Sequence, residues 1–436
     1  MLARFDLENW MSFRDRVSLS MLATRERQYR ERVPLVEKYS THILPVAALY
    51  GGNASGKTNF FSALGFLKNL VVDGNLPDAL IPVEPFKLDP LAEKAATSFR
   101  MEILIDNDMY EFSISLTQKQ IIEEKLTIVS SASERTLYHR KAGAPNFHRS
   151  LADDDQLHFA FRGTRPNQLF LTNSVSQNIL TFKPLYDWFR DRLVLIAPSA
   201  RFLSLEHYLD SGKGLGQKMS ELLKLLDTGI SKFGEENIPF DSIPVPEFIR
   251  EEIGRDLSEG ESGTLVPGEG KDRYTVRREH GKLRAKKLIT YHENVDGKSI
   301  PFEMQKESDG SRRLIDLLPA FIALTNPKSK QLFVIDELDR SLHALLTRRL
   351  LEYFLNACSA GSRAQLLFTT HDVLLMDQTL LRRDEMWVTE RDSTGSSKMY
   401  SFSEYKDVRY DKDIRKSYLQ GRLGGIPKIL LGAGLR

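Results

Sequence analysis

An octapeptide near the start of the chain constrains its fold most. Gly51-Gly52-Asn53-Ala54-Ser55-Gly56-Lys57-Thr58 follows an apolar run over 42–50 and precedes residues 58–70, whose apolar positions recur at helical spacing. The pattern G-x-x-x-x-G-K-[ST] between a strand and a helix has a physical meaning. Glycines let the backbone curl until successive N–H groups point at one anion, and the helix aims its positive end at the same place. Gly51, Asn53, Ser55 and Gly56 would shape a phosphate cradle. Lys57 would reach the β- and γ-phosphates of a nucleotide, and the Thr58 hydroxyl would ligate Mg²⁺. A chance glycine-rich turn would not come with this strand before it and this helix after it.

A second motif lies far downstream. Leu332-Phe333-Val334-Ile335-Asp336-Glu337 is an apolar strand ending in two carboxylates. A buried strand delivers such acids to the sheet edge where ligands bind. There Asp336 would hold Mg²⁺ through water, and Glu337 would act as general base on the attacking water. Alone, the pair also reads as solvated acids at a strand end; beside a phosphate loop that reading recedes. Lys57 and Asp336 are separated by well over half of the chain. A compact GTPase-like domain would keep both motifs in one short unit, so a large insertion is expected between them.

Two weaker elements flank the acidic strand. Ser308-Asp309-Gly310-Ser311-Arg312-Arg313 opens a helix and reads either as an anion site or as an ordinary N-cap. A second apolar strand over 365–369 ends in Thr370-His371-Asp372, which puts His371 within reach of a γ-phosphate or leaves it as one of nine scattered histidines.

The remaining pattern is α/β. Residues 98–129 alternate as FRMEILI, YEFSISL and IIEEKLTIV, which predicts an antiparallel meander turning at Asn107-Asp108. Residues 131–170 are polar and weakly periodic. An amphipathic helix is expected over 216–234, another near 246–257, and a linker at SEGESGTLVPGEG over 258–270. Helices over 311–325, 341–357 and after 371 alternate with strands over 331–335, 365–369 and 386–389, which implies a largely parallel sheet. These patterns predict a P-loop α/β head with a mixed sheet, built from 1–130 and 300–436, around an inserted helical/β lobe over 131–299.

Composition bounds the partners. Lys+Arg number 61 and Asp+Glu 59, a net charge of +2 in 436 residues, which excludes a wholly basic nucleic-acid coat or an acidic tail protein. The balance conceals an acidic stretch over 247–270 beside a basic one over 271–287. The latter, KDRYTVRREHGKLRAKK, reads as a hairpin turning at His280-Gly281; it is a solvated hairpin, a DNA-phosphate contact or a face for an acidic partner. Arg409, Lys412, Arg415, Lys416 and Arg422 add basic charge near the C-terminus, and Tyr274 alone gives the hairpin little to stack on bases. One cysteine, Cys358, allows neither an internal disulfide nor a multi-Cys zinc site. The start MLARFDLENWMSF lacks a signal-peptide layout, and no apolar run approaches the ~20 residues of a membrane span, so a cytoplasmic protein without membrane contact is expected.

Taken in order, the phosphate loop, the S-x-G helix start, the hhhhDE strand, Asp339-Arg340-Ser341-Leu342-His343 and the strand-end His371 resemble the ABC-type ATPase head of the SMC/RecF/OLD superfamily. ENWMSFRDRVSLSML, ESDGSRRLIDLLP, VIDELDRSLHALL, QLLFTTHDVLLMD, LRRDEMWVTE and YLQGRLGGIP are similar to small bacterial phage-defence ATPases of the abortive-infection, RloA-like type. The resemblance covers residues 1–70 and 300–425 and is weaker between about 130 and 300. It implies ATP and Mg²⁺ as cofactors and a homodimer or larger assembly, with each nucleotide between the phosphate loop of one subunit and Ser308 and Gly310 of another. Arg312 would assist, His371 would sense the γ-phosphate, Asp339 would cross the interface, and a glutamine, with Gln177 as candidate, would reach the metal. It further implies control of an effector protein, a nuclease or toxin, in anti-phage defence. A RecF-like protein whose ATPase gates DNA binding is the alternative; a transporter subunit fits the early meander poorly. No heptad arm is present, and too few residues follow His371 for a Toprim nuclease, so Asp411 and Asp413 read as a charged helix start.

Overall fold

The computed structural model describes residues 1–131, 133–141, 144–198, 214–267, 272–405 and 413–425. They form two compact units. The first comprises Met1–Pro198, Leu324–Asp339 and Glu352–Arg436; the second comprises Ser199–Ala323 and Arg340–Leu351.

The first unit contains the meander. Thr97–Ile105, Asp108–Leu116 and Ile121–Val129 pair antiparallel, with Met101 opposite Phe112 and Phe112 opposite Leu126. Period-two alternation turns Phe99, Met101, Ile103, Phe112 and Leu126 into the core. Leu2–Glu8 and Val17–Ser20 extend the sheet on one side, and Glu134–Lys141 and Ala144–Phe147 on the other, to seven strands. Glu134–Lys141 and Ala144–Phe147 therefore continue the meander, whereas the sequence pattern places them in the insertion over 131–299. Their apolar signal is masked because this strand pairs through polar groups: His139 with Glu123 at 2.7 Å, and the Tyr138 hydroxyl donating to buried Glu124 at 2.9 Å.

The other sheet of this unit has six strands in the order Leu193–Ile196, Leu332–Ile335, Gln365–Thr369, Val46–Tyr50, Met386–Arg391 and Ser397–Ser401. The first five run parallel and the last turns back as a hairpin. Every residue of Val46–Tyr50, Leu332–Ile335 and Gln365–Thr369 is buried, which is why these strands read as continuous apolar runs. Parallel pairing brings their C-terminal ends to one edge. Leu193–Ile196 flanks the acidic strand in parallel register.

Helix Lys57–Val72 buries Phe60, Ala63, Leu64, Leu67, Leu70 and Val71, the face expected from its spacing. Phe60 packs edge-on to Phe5 at 5.3 Å between centroids, and Trp10 meets Phe66 and Phe99 at 5.1 and 5.5 Å. Truncating a buried phenylalanine here would cost about 3–5 kcal/mol. The helix expected after 371 is only the short turn Val373–Leu375, capped by the Asp372 carboxylate.

In the second unit, Ile230–Ile238, Lys282–Glu293, Tyr274–Glu279 and Ser262–Leu265 form a sheet, with Ser299–Glu303 added along Lys282–Glu293. Helices Leu215–Leu225 and Glu247–Asp256 accompany it. Two expectations are corrected here. The helix expected over 216–234 ends at Leu225, because Gly229 at φ +74° turns the chain into a strand. The expected linker contains the strand Ser262–Leu265, which pairs with Tyr274–Glu279. The acidic and basic stretches meet within this unit. Lys286 pairs with Glu235 at 3.0 Å, and Lys287 with Glu303 at 2.6 Å and Asp272 at 3.2 Å. Glu259 accepts from the His280 and Gly281 amides. Lys271, Arg409, Asp411 and Lys412 lie outside the described residues. Asp413 caps helix Ile414–Leu419, as expected for a helix start. Among the described residues no helix is long and apolar enough to cross a membrane.

Candidate nucleotide-binding site

The phosphate loop leaves the end of Val46–Tyr50 and enters helix Lys57–Val72. Gly51 and Gly56 have φ of +151° and +110°, and both are tightly enclosed. A Cβ on Gly51 would lie 2.5 Å from the Thr389 carbonyl oxygen, and one on Gly56 would lie 2.6 Å from Ser397 Oγ. Ser55 Oγ is 2.7 Å from Thr389 Oγ1. The hairpin 386–401 therefore braces one wall of the loop, while Asn53, Ala54 and Thr58 are exposed on its open side. Lys57 is 5% exposed and donates to the Gly51 and Gly52 carbonyls at 2.8 and 3.0 Å. Burial pushes its ammonium down to about 8, and the carboxylates of Asp336, Glu337 and Asp339 only partly oppose this.

The acidic strand ends beside the loop. Asp336 is fully buried, and its backbone N–H donates to the Ile196 carbonyl at 3.0 Å. Thr369 Oγ1 donates to Asp336 Oδ1 at 2.5 Å and accepts from the Glu337 N–H at 2.8 Å. One hydroxyl thus locks both acids to the neighbouring strand and supports the left-handed Glu337 backbone at φ +50°. His371 Nδ1 is 3.4 Å from Lys57 Nζ, and its Nε2 is 3.9 Å from Glu337 Oε1. Burial, then the charge of Lys57, lowers the His371 pKa, so the ring is neutral at neutral pH. Asp339 Oδ2 accepts from the His371 N–H at 3.4 Å, and its buried Oδ1 has no hydrogen-bond partner among the described residues.

These features fit a polyphosphate and its cation. A desolvated ammonium with a depressed pKa and first-turn helix amides call for an anion. Among the described residues no three His, Cys, Asp or Glu side chains form a metal site by themselves. Thr58 and Asp336 suit instead a Mg²⁺ that completes its shell with phosphate oxygens and water.

Lys57, Asp336, Glu337, Asp339 and His371 thus surround one site. Gln177 does not join it. It follows helix Phe170–Ser176, where Thr172 Oγ1 donates to the Val71 carbonyl, and its amide donates to Asn173 at 3.2 Å. Val71 is at the far end of helix Lys57–Val72, whose 16 residues span about 24 Å from the loop. The strand that does flank the acids is Leu193–Ile196. Thr369, Thr389 and Ser397 escaped the sequence reading, because an isolated hydroxyl carries no motif.

Ser308, Gly310 and Arg312 belong to the second unit. Ser308 Oγ accepts from the Ser311 N–H at 3.0 Å, so it caps helix Asp309–Leu324. Gly310 approaches Ser341, where a Cβ would lie 2.8 Å from the carbonyl oxygen. Arg312 donates to the Glu307 carbonyl at 2.5 Å and pairs with Asp309.

A glycine-rich loop on a parallel sheet, with acids and a histidine on adjacent strand ends, defines a P-loop nucleotide-binding fold. Residues 46–377 match the family described as "AAA domain, putative AbiEii toxin, Type IV TA system". The chain belongs to that family and is an ATPase of the AAA type. No curated protein matches the chain. Among solved structures, it is similar to an SMC head domain from Thermotoga maritima, with 11% identity, 92% of this chain and 98% of that one covered, and a TM-score of 0.37. It is also similar to an SMC head bound to the C-winged helix domain of ScpA, with 13% identity, 92% and 97% covered, and a TM-score of 0.40.

Proposed function

We propose that the chain is a Mg²⁺-dependent ATPase that closes a homodimer or larger assembly across shared nucleotide sites and so controls an effector protein in anti-phage defence. The convergence of Lys57, His371 and Glu337 carries the reading. Bound ATP with Mg²⁺ would supply the phosphoanhydride and the charge that makes its γ-phosphate electrophilic. Lys57 would neutralise phosphate oxygens, Gly51, Asn53, Ser55 and Gly56 would wrap them, and Thr58 and Asp336 would hold the cation. Glu337 would take the proton of the attacking water, and neutral His371 would donate a hydrogen bond at the γ-phosphate.

Ser308, Gly310 and Arg312 of one copy would complete the site of another, with Asp339 at the interface. The helix start they form, whose positive end suits an anion, supports this arrangement. The toxin–antitoxin wording of the family description supports an effector role, with the toxin or nuclease acting in trans. The RecF-like alternative, with DNA held by residues 271–287, is weakened by the acid partners of Lys286 and Lys287.

Glu337→Gln should retain ATP binding, lose turnover and accumulate the closed oligomer on size-exclusion chromatography; unchanged turnover removes Glu337 from this role. Mixing inactive Lys57→Ala and Ser308→Arg chains should restore part of the activity through the intact shared site. No recovery at any ratio counts against composite sites.

A further inference from the structure

The segment that follows helix Ile414–Leu419 returns to the phosphate loop. The Gly52 N–H donates to the Gly425 carbonyl at 3.0 Å, and the same oxygen accepts from the Tyr418 hydroxyl at 3.0 Å. The Gly425 N–H donates to Glu390 Oε2 at 3.2 Å, and the Tyr405 hydroxyl donates to the Leu423 carbonyl at 2.8 Å. Gly424 and Gly425 have φ of +70° and +71°. A Cβ on Gly425 would lie 2.3 Å from Val388 Cγ2, and one on Gly424 would lie 2.5 Å from Glu390 Oε2. Only two glycines fit between the loop and the strand that braces it.

The helix end does not need this pair. Gly421 already turns the chain at φ +72°, and a Cβ there would meet nothing within 4 Å. The glycine pair serves the loop. Gly52 is anchored at its N–H by Gly425, and its carbonyl accepts from Lys57 Nζ at 3.0 Å. The anchor is thus one residue removed from the lysine that would meet the phosphates.

We propose that Gly424-Gly425 is a positioning strap for the phosphate loop: docked, it sets the Gly52 backbone that aims Lys57, and undocked, it lowers nucleotide affinity. The proposal rests on the nucleotide reading of the loop. Gly425→Ala and Gly421→Ala in the full chain impose the same left-handed penalty, but only the former collides with Val388. ATP affinity by titration calorimetry, KM, kcat and melting temperature would be measured for both.

We expect Gly425→Ala to weaken ATP binding about tenfold, the loss of roughly one to two hydrogen bonds, and Gly421→Ala to stay within about twofold. Adding Val388→Ala, which removes the colliding methyl, should recover part of the affinity relative to Gly425→Ala. Tyr418→Phe, which removes one hydroxyl, should raise KM about threefold with kcat unchanged, and it keeps the test alive if Gly425→Ala does not fold. Wild-type binding of ATP with equal affinities in the two glycine variants, or an unmoved KM in Tyr418→Phe, overturns the strap alone. Absence of ATP binding by the wild type overturns the nucleotide reading and the strap with it.

Discussion

Replacing Thr369 by valine tests whether one hydroxyl holds the two acids in place. Valine matches threonine in shape, so packing in the strand Gln365–Thr369 is retained and only the hydrogen bonds are lost. Thr369 Oγ1 donates to the buried Asp336 carboxylate, a charge-assisted bond worth about 1.5–3 kcal/mol. It also accepts from the Glu337 N–H, and leaving that amide unpaired costs about 1–3 kcal/mol. Allowing for relaxation of the partly exposed Glu337, a loss of about 3 kcal/mol in unfolding free energy is expected by urea denaturation. The functional loss should be larger in proportion, because the left-handed Glu337 backbone loses its tether; turnover should fall at least about tenfold. Thr369→Ser keeps the hydroxyl and serves as the control, with turnover near wild type. A Thr369→Val chain within about 0.5 kcal/mol of wild type and with unchanged turnover would refute the role given to this residue.

Three further outcomes follow from charge and burial. With the Lys57 pKa lowered from 10.5 to about 8, nucleotide phosphates should pull it back up, so binding takes up a proton near pH 8. ATP affinity should then fall as pH rises above 8, and Lys57→Arg should flatten that slope even if its affinity is lower; an identical slope argues against Lys57 as the phosphate partner. The same shift acts on folding with a definite sign: the folded pKa is depressed, so stability from this group is present above pH 10.5 and lost as pH falls through about 8. Burial pushes the Cys358 thiol up to about 12, so at pH 8 only about one thiol in ten thousand is ionised. The native chain should react with a thiol reagent far more slowly than the urea-unfolded chain, and equal rates would refute that burial.

The parts of the site legible in the sequence are those whose chemistry is written in consecutive residues. The phosphate loop, the run ending in Asp336-Glu337 and the run ending near His371 announce themselves, because a strand buried on both faces needs unbroken apolar residues and its polar end then stands out. Thr369 could not be found this way: it works by lying beside Asp336 in the parallel register, and register has no local signature. Gln177 failed for a related reason. Its sequence position does not reveal which end of a 16-residue helix it adjoins, and the packing of Thr172 on Val71 puts it at the wrong one. In the second unit the apolar spacing of Ile230 and Phe233 continued that of the preceding helix, and only the turn at Gly229 separates the two elements. For Ser262–Leu265, glycine and serine suggested a linker, while cross-strand bonds made a strand.

The position of Val46–Tyr50 in the parallel sheet has a consequence for the order in which the protein is made. Both of its neighbours, Gln365–Thr369 and Met386–Arg391, leave the ribosome only after most of the chain has been translated. Until then the phosphate strand has two open edges, and its apolar backbone is a template for wrong partners. The antiparallel meander can close early on its own hairpins, whereas the nucleotide-binding edge forms only through contacts of very high sequence separation. Assembly of that edge is therefore expected to be the slow step of folding, and a nascent chain stalled before residue 365 should carry a finished meander beside an unfinished ATPase.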